Sequence, residues 1–283
     1  MRFSWRGYTL DFSLRTLVMG VLNVTPDSFS DGGDFFDPRA AIGRARQIED
    51  EGADAIDIGG LSTRPGSEPV DEAEELRRVL PVIEALAGTV SVPLSIDTYR
   101  ASVARRALEA GAAMVNDISG LRFDPEMSAE AARAGVPVVV MHIRGTPRNM
   151  QAAPRYEALV PEVMDYLRGS IRLADEAGIA QVIIDPGIGF GKTFDHNLEI
   201  INRLGEFTLL GRPVLVGPSR KAFLGWILGG APPKERLMGT AAAVTAAVLA
   251  GAHMVRVHDV REMVQVARVA DAIKRERMTL PGA

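Results

Sequence analysis

Apolar residues along the chain gather in short runs rather than alternating with polar ones. TLVMGVLNV (16–24), DAIDIGG (54–60), PLSIDT (93–98), MVNDIS (114–119), PVVVMHI (137–143), QVIIDPG (181–187), PVLVGPS (213–219) and HMVRVHDV (253–260) are rich in Val and Ile. Such runs predict strands buried on both faces. Between them lie alanine-rich stretches with helical spacing, among them PRAAIGRARQIEDEGA (38–53), EAEELRRVLPVIEALAG (72–88), ASVARRALEAGA (101–112) and PKERLMGTAAAVTAAVLAGA (233–252). Several carry Gly just past their last periodic residue, where helices stop. The order is β then α, eight times. Strict alternation implies parallel strands joined by crossover helices, and eight units in this length predict an α/β protein with a (β/α)8 barrel, a single domain over residues 1–283. A doubly wound open sheet is the alternative, but it would leave units to spare.

In a barrel, chemistry sits at the C-terminal ends of the strands. Here those ends carry Asn23 with the loop VTPDSFSDGG, the turn STRPGS (62–67), Asp97, Asn116 with Asp117, His142, Asp185, Ser219-Arg220-Lys221, and Arg256 with His258. Any one of these could be a turn or cap residue. All of them converging on one rim predict an active site.

Composition narrows what that site can do. The 283 residues include 36 acidic and 32 basic ones, a net charge of −4, with no basic block of the kind that tracks a phosphate backbone, so nucleic acid is not an expected partner. There is no cysteine, which excludes disulfides, thiolate nucleophiles and iron–sulfur clusters and fits a reducing compartment. The opening MRFSWRGYTLDFS is too polar for a signal peptide, and the longest apolar stretch, AAAVTAAVLAGAHMV, is too short to span a bilayer. The expected setting is the cytoplasm, with no membrane partner. Four histidines, at 142, 196, 253 and 258, lack zinc-ligand spacing, and no Ser/His/Asp triad presents itself.

The segment DPGIGFGKTFDHN (185–197) tests for a nucleotide loop and fails. Gly191, Lys192 and Thr193 fit a Walker-type phosphate loop, but the position of its first glycine is Pro186, which has no N–H to give. The dinucleotide pattern breaks at Lys192. Lys192 is expected to be a charge at a helix start, whereas Lys221 is expected in the site.

Two kinds of group share the rim. Asp97, Asn116 and Asp185 offer acceptors and an amide to a flat ligand with adjacent N–H groups, as in a 2-amino-4-oxo pyrimidine. Arg64, Arg256, His258 and the Asn23 loop offer cationic forks and oxygen ligands that suit phosphate with Mg²⁺. Together they suggest a heterocyclic substrate with a diphosphate leaving group.

At these residues the chain resembles the dihydropteroate synthases of folate synthesis. The likeness runs in order through MGVLNVTPDSFSDGG (19–33), STRPG (62–66), SIDT (95–98), VNDIS (115–119), MH (141–142) with GTP (145–147), DPGIGFGKT (185–193), GPSRK (217–221) and RVHDV (256–260). The resemblance implies a (β/α)8 barrel, condensation of (7,8-dihydropterin-6-yl)methyl diphosphate with 4-aminobenzoate, inhibition by sulfonamides, and a homodimer built on the last two helices. It assigns the pterin to Asp97, Asn116, Met141, Asp185, Phe190, Lys221 and Arg256. Diphosphate falls to Asn23, Thr63, Arg64, Arg256 and His258, with Mg²⁺ on Asn23. Aminobenzoate falls to Phe29, Pro65, Phe190, Ser219 and Lys221, its carboxylate near Ser219 and the next helix N-terminus. Asp31, Lys221, Arg256 and His258 are the implied catalytic groups. The glycines of 187–191 are then expected to admit the ligands closely.

One departure stands out. The family usually has Glu where this chain has Leu61, which puts the anchoring of the second loop in question. A corrinoid-dependent methyltransferase is the nearest rival, and Arg64, the SRK turn and RVHDV argue against it because that chemistry needs no diphosphate site. A non-catalytic pterin-binding protein on the same fold is a rival of another class.

Overall fold

The computed structural model describes residues 1–25, 38–61 and 70–277. It opens on an antiparallel hairpin, β1 (Arg2–Trp5) and β2 (Tyr8–Asp11), turning through Arg6 and Gly7, both at positive φ. The barrel strands follow: β3 (Leu17–Asn23), β4 (Ala55–Gly59), β5 (Leu94–Asp97), β6 (Met114–Asp117), β7 (Val138–Met141), β8 (Val182–Asp185), β9 (Leu215–Val216) and β10 (Met254–Val257). They pair in parallel in the order β8-β7-β6-β5-β4-β3-β10-β9. A parallel bridge between Ile184 and Val214 brings β8 back to the chain entering β9. The result is a nearly closed eight-stranded barrel, as the run pattern predicts.

Around it stand α1 (Pro38–Asp50), α2 (Glu72–Leu86), α3 (Ala101–Glu109), α4 (Met127–Ala134), α5 (Leu159–Glu176), α6 (Phe194–Asn202), α7 (Ala222–Ile227), α8 (Leu237–Ala250) and α9 (Val260–Arg275). Among the described residues after the hairpin, the alternation departs from the expected pattern where both α7 and α8 lie between β9 and β10. The stretch read as one helix from residue 233 also divides, into a 3-10 turn (Pro233–Glu235) and α8. Local chemistry sets several boundaries. Pro38 takes the first position of α1, where a missing N–H costs nothing. Asp71 accepts from Glu74 N at 2.8 Å to cap α2. Left-handed Gly135 and Gly251 end α4 and α8.

Every residue of β4, β6, β7 and β8 is buried. Helices cover one face and inward side chains fill the other, which is why these strands read as unbroken runs. The N-terminal end of the barrel is closed by the hairpin. Phe3, Trp5, Leu10 and Phe12 join the main core, Trp5 Nε1 donates to Ala113 O at 2.7 Å, and Gln181 Nε2 donates to Ser4 O at 3.1 Å. Beside it, Asp271 accepts from Thr16 N (2.7 Å) and Thr16 Oγ1 (3.0 Å), and Asp54 accepts from Val18 N (2.8 Å) and Arg15 Nη1 (2.7 Å). Among the described residues no helix is long and apolar enough to cross a membrane.

Candidate active site

The opposite end of the barrel gathers the predicted polar residues. Asn23, Asp97, Asn116 and Asp185 each occupy or adjoin the last position of their strand, and Gly217–Lys221 and His258 follow β9 and β10 directly. Strand register places Asn23 beside Gly59, Gly59 beside Asp97, and Asp97 beside Asn116. These positions therefore form one inward-facing row.

A residue that the rim inventory did not single out organises this row. Asp57, inside β4 and fully buried, accepts through Oδ2 from Arg256 Nε (2.6 Å) and from Asn116 Nδ2 (2.8 Å). Arg256 Nη2 donates to Asp97 Oδ2 at 2.7 Å. Asp57 thus orients the Asn116 amide with its nitrogen inward, leaving the amide oxygen as an acceptor for a ligand. The signal was in the sequence: a carboxylate inside a buried apolar run must have a partner, and DAIDIGG contains one.

Burial pushes the Asp185 carboxyl up to about 6, against the pull of the Gly187 N–H, which donates to Oδ1 at 2.7 Å, and of Lys221. Burial likewise raises Asp97, while the neighbouring Arg256 guanidinium opposes it. Lys221 Nζ lies 4.3 Å from the centre of the Phe190 ring. Met141 belongs to a small apolar cluster with Ile118, Ile143 and Met150, and Phe190 packs on it. One apolar wall and a row of acceptors are thereby brought together.

Lys192 does stand at the start of α6, just before its Thr193 cap, but it is 2% exposed. Its Nζ donates to Phe190 O at 3.0 Å and lies 2.8 Å from His142 Nδ1. Burial brings its pKa down to about 7, although Asp185 favours its charge. The glycines of this loop also pack closely within the protein. Gly187, at φ +73°, has no room for a Cβ beside the His142 carbonyl, and at Gly189, φ +83°, a Cβ would come 3.1 Å from Lys221 Cδ. A Gln151 Nε2 bond to Gly189 O (2.8 Å) and a Tyr156 hydroxyl bond to Gly191 O (2.7 Å) pin the same loop.

Ser219 and His258 form a pair, Oγ to Nδ1 at 3.0 Å. Burial, then Arg256, Arg220 and Lys221, lower the His258 pKa to about 3. Arg220, between Ser219 and Lys221, sits at φ +59°. That strained conformation is held by Asp259 on its guanidinium, Thr240 Oγ1 on its N–H (3.1 Å) and Arg236 Nη1 on its carbonyl (2.8 Å).

Phe29, Asp31, Thr63, Arg64 and Pro65 lie outside the described residues. The flanks of the second loop are held without an acid at position 61. Arg78 Nη1 donates to Gly60 O (2.9 Å), and Arg100 bridges Val70 O (2.6 Å) to the buried Glu75 (2.5 Å).

Fold and site together define a (β/α)8-barrel protein with a cluster of carboxylates, amide and cationic side chains at its strand ends. Comparison with known proteins agrees. The pterin binding enzyme family matches residues 19–258. A dihydropteroate synthase of Synechocystis is 51% identical over 272 residues, covering 95% of this chain and 94% of its own. The Yersinia pestis dihydropteroate synthase, solved with a sulfonamide drug complex, superposes with a TM-score of 0.91 at 44% identity, covering 97% of this chain and all of that one. The Thermus thermophilus enzyme, solved with 4-aminobenzoate, gives 0.87 at 44% identity, with 96% and 100% covered. The chain belongs to the dihydropteroate synthases, within the pterin-binding enzymes.

Proposed function

We propose that this transferase joins (7,8-dihydropterin-6-yl)methyl diphosphate to 4-aminobenzoate, giving 7,8-dihydropteroate and diphosphate, by a dissociative substitution. The observation that carries this reading is the pair Asp97–Asn116, organised from beneath by Asp57 and Arg256, with Asp185 at the end of β8 and Lys221 over the Phe190 ring. The carboxylates and the Asn116 amide oxygen accept the pterin N–H groups, and Lys221 donates to the ring. The bond from methylene to diphosphate oxygen breaks first, and its electron pair leaves with the diphosphate. The methylene cation conjugates with the pterin and is stabilised by the fixed carboxylates of the site. The arylamine nitrogen then bonds to the methylene carbon and loses a proton. Arg256 and His258 hold the leaving anion, and the wall formed by Phe190 and the Lys221 stem carries the aminobenzoate ring.

Asn23, partly exposed at the end of β3, offers a neutral amide oxygen. That donor fits Mg²⁺, which commonly takes one or two protein oxygens together with phosphates and water. Bound there, the ion would neutralise leaving-group charge.

A homodimer through α8 and α9 is supported by the apolar side chains exposed on them, Met238, Leu249, Val269 and Ile273, with Trp226 beside them on α7. Light scattering at micromolar concentration should give twice the chain mass, and a monomer would reject it. A cytoplasmic location is consistent with a substrate too charged to cross a membrane unaided. Turnover of both substrates with Mg²⁺, releasing dihydropteroate and diphosphate in equal amounts, tests the reaction. Pterin binding without turnover would reduce the protein to a binding module.

A further inference from the structure

Ser219 is nearly inaccessible at 4% exposure, and its hydroxyl is already engaged. The backbone N–H of His258 donates to Oγ at 3.2 Å, and His258 Nδ1 lies 3.0 Å from the same oxygen. From the other side, Arg44 Nη2 donates to His258 O at 3.1 Å. The histidine is therefore held at its N–H, its carbonyl and one ring nitrogen. Among the described residues, only Nε2 of the ring has no partner.

Counting protons separates two arrangements of the neutral ring. If Nδ1 carried the proton, Ser219 Oγ would accept twice, and its own proton would need another acceptor at a site almost closed to water. None is present among the described residues. If the hydroxyl instead donates to Nδ1, every polar atom of the pair is matched. The ring proton then stands on Nε2. The doubly protonated ring is disfavoured by burial and by Arg256, Arg220 and Lys221.

We infer that Ser219 is a positioning residue: its hydroxyl fixes His258 as the Nε2–H tautomer, so that the ring presents a neutral donor, not a lone pair, to the departing diphosphate. This rests on the reading above that places His258 at the diphosphate. The logic is electrostatic. A lone pair aimed at an anion repels it, whereas a further full cation beside Arg256 and Lys221 would bind the diphosphate product tightly and slow its release. A neutral N–H stabilises the developing charge and adds no net charge to hold the product. The hydroxyl so used is not available to the aminobenzoate carboxylate.

The test is nitrogen NMR on protein carrying ¹⁵N-labelled histidine, with His258→Gln assigning the signals, alongside steady-state kinetics. Wild type should show His258 as the Nε2–H tautomer, with and without diphosphate and Mg²⁺. Ser219→Ala should shift the ring toward a mixture of tautomers and raise both the KM for pterin diphosphate and the diphosphate inhibition constant about tenfold, the order expected for one hydrogen bond to a charged group. The KM for 4-aminobenzoate should stay within about twofold. Ser219→Thr keeps the hydroxyl and should restore both readouts. An Nδ1–H tautomer in wild type, or a Ser219→Ala effect confined to aminobenzoate, would overturn the inference alone. Diphosphate affinity unchanged in His258→Leu, which has no donor, would instead remove His258 from the anion site, and the inference with it.

Discussion

The two ends of the barrel use buried and half-buried carboxylates in opposite ways. At the hairpin end, Asp271 accepts two hydrogen bonds from Thr16, and Asp54 takes the Val18 N–H and the Arg15 guanidinium. Their oxygens are consumed within the fold. At the rim, Asp97 shares a single guanidinium with Asp57, Asp57 Oδ1 has no partner among the described residues, and Asp185 holds one backbone N–H. The same side chain thus serves stability where its oxygens are matched and recognition where they are left over. Unmatched buried acceptors cost stability, and at the rim Asp57 Oδ1 is one of them.

The largest expected effect sets one end directly against the other. Asp185→Asn should lower kcat/KM for the pterin substrate about 10- to 100-fold, the worth of a charge-assisted hydrogen bond. It should also stabilise the free protein at neutral pH. The Asp185 pKa is raised on folding from 3.8 to about 6, so the folded state holds that proton more tightly. The stability this proton contributes is complete below pH 3.8 and lost as pH rises through about 6, up to about 3 kcal/mol. Removing the charge recovers part of it. Asp271→Asn should do the reverse, lowering stability by about 1–3 kcal/mol while kcat measured well below the melting temperature holds. Thermal melts with kinetics on both variants decide this, and a destabilised Asp185→Asn would break the comparison.

A second contrast lies within the rim. Lys192→Met should cost about 1–3 kcal/mol, because Phe190 O and His142 Nδ1 lose their donor in a closed site. Lys221→Ala should leave the melting temperature nearly unchanged and depress turnover more. If Lys192→Met melts like wild type, the burial of its amine has no energetic consequence.

The mildest test varies only pH. Asp185 must be ionised to accept from the pterin, so kcat/KM should fall about tenfold per unit below pH 6, following the raised carboxyl. In Asp185→Asn the contribution near pH 6 should be lost, leaving only the limb of Asp97, which burial raises to about 7. A profile flat down to pH 5 in wild type would place the titration elsewhere.

Most of the fold was legible because buried parallel strands leave a signature that needs no partner to recognise: β-branched runs punctuated by Gly and Pro. The hairpin was not legible. Each of its strands alternates for only four residues, and Phe3, Trp5, Leu10 and Phe12 gain meaning only against the barrel end they cover. The rim could be read from strand-end chemistry, and the resemblance supplied its ligands. Lys192 escaped because its neighbours, Gly191 and Thr193, belong to an exposed-looking turn, and its burial comes from His142 on another strand's exit. The loop that Leu61 enters lies outside the described residues, and Arg78 and Arg100 grip the backbone on either side of it.

The hairpin has a consequence for traffic. Its aromatic residues cap the far end of a barrel already filled by inward side chains, with Trp5 fastened to Ala113 O, so the rim is the doorway to the site. Whatever enters must leave by the same opening, and the departing diphosphate and dihydropteroate share a route with the incoming pterin and arylamine. Each turnover is then a queue, and the slower of the two products to clear the doorway sets when the next pterin can enter.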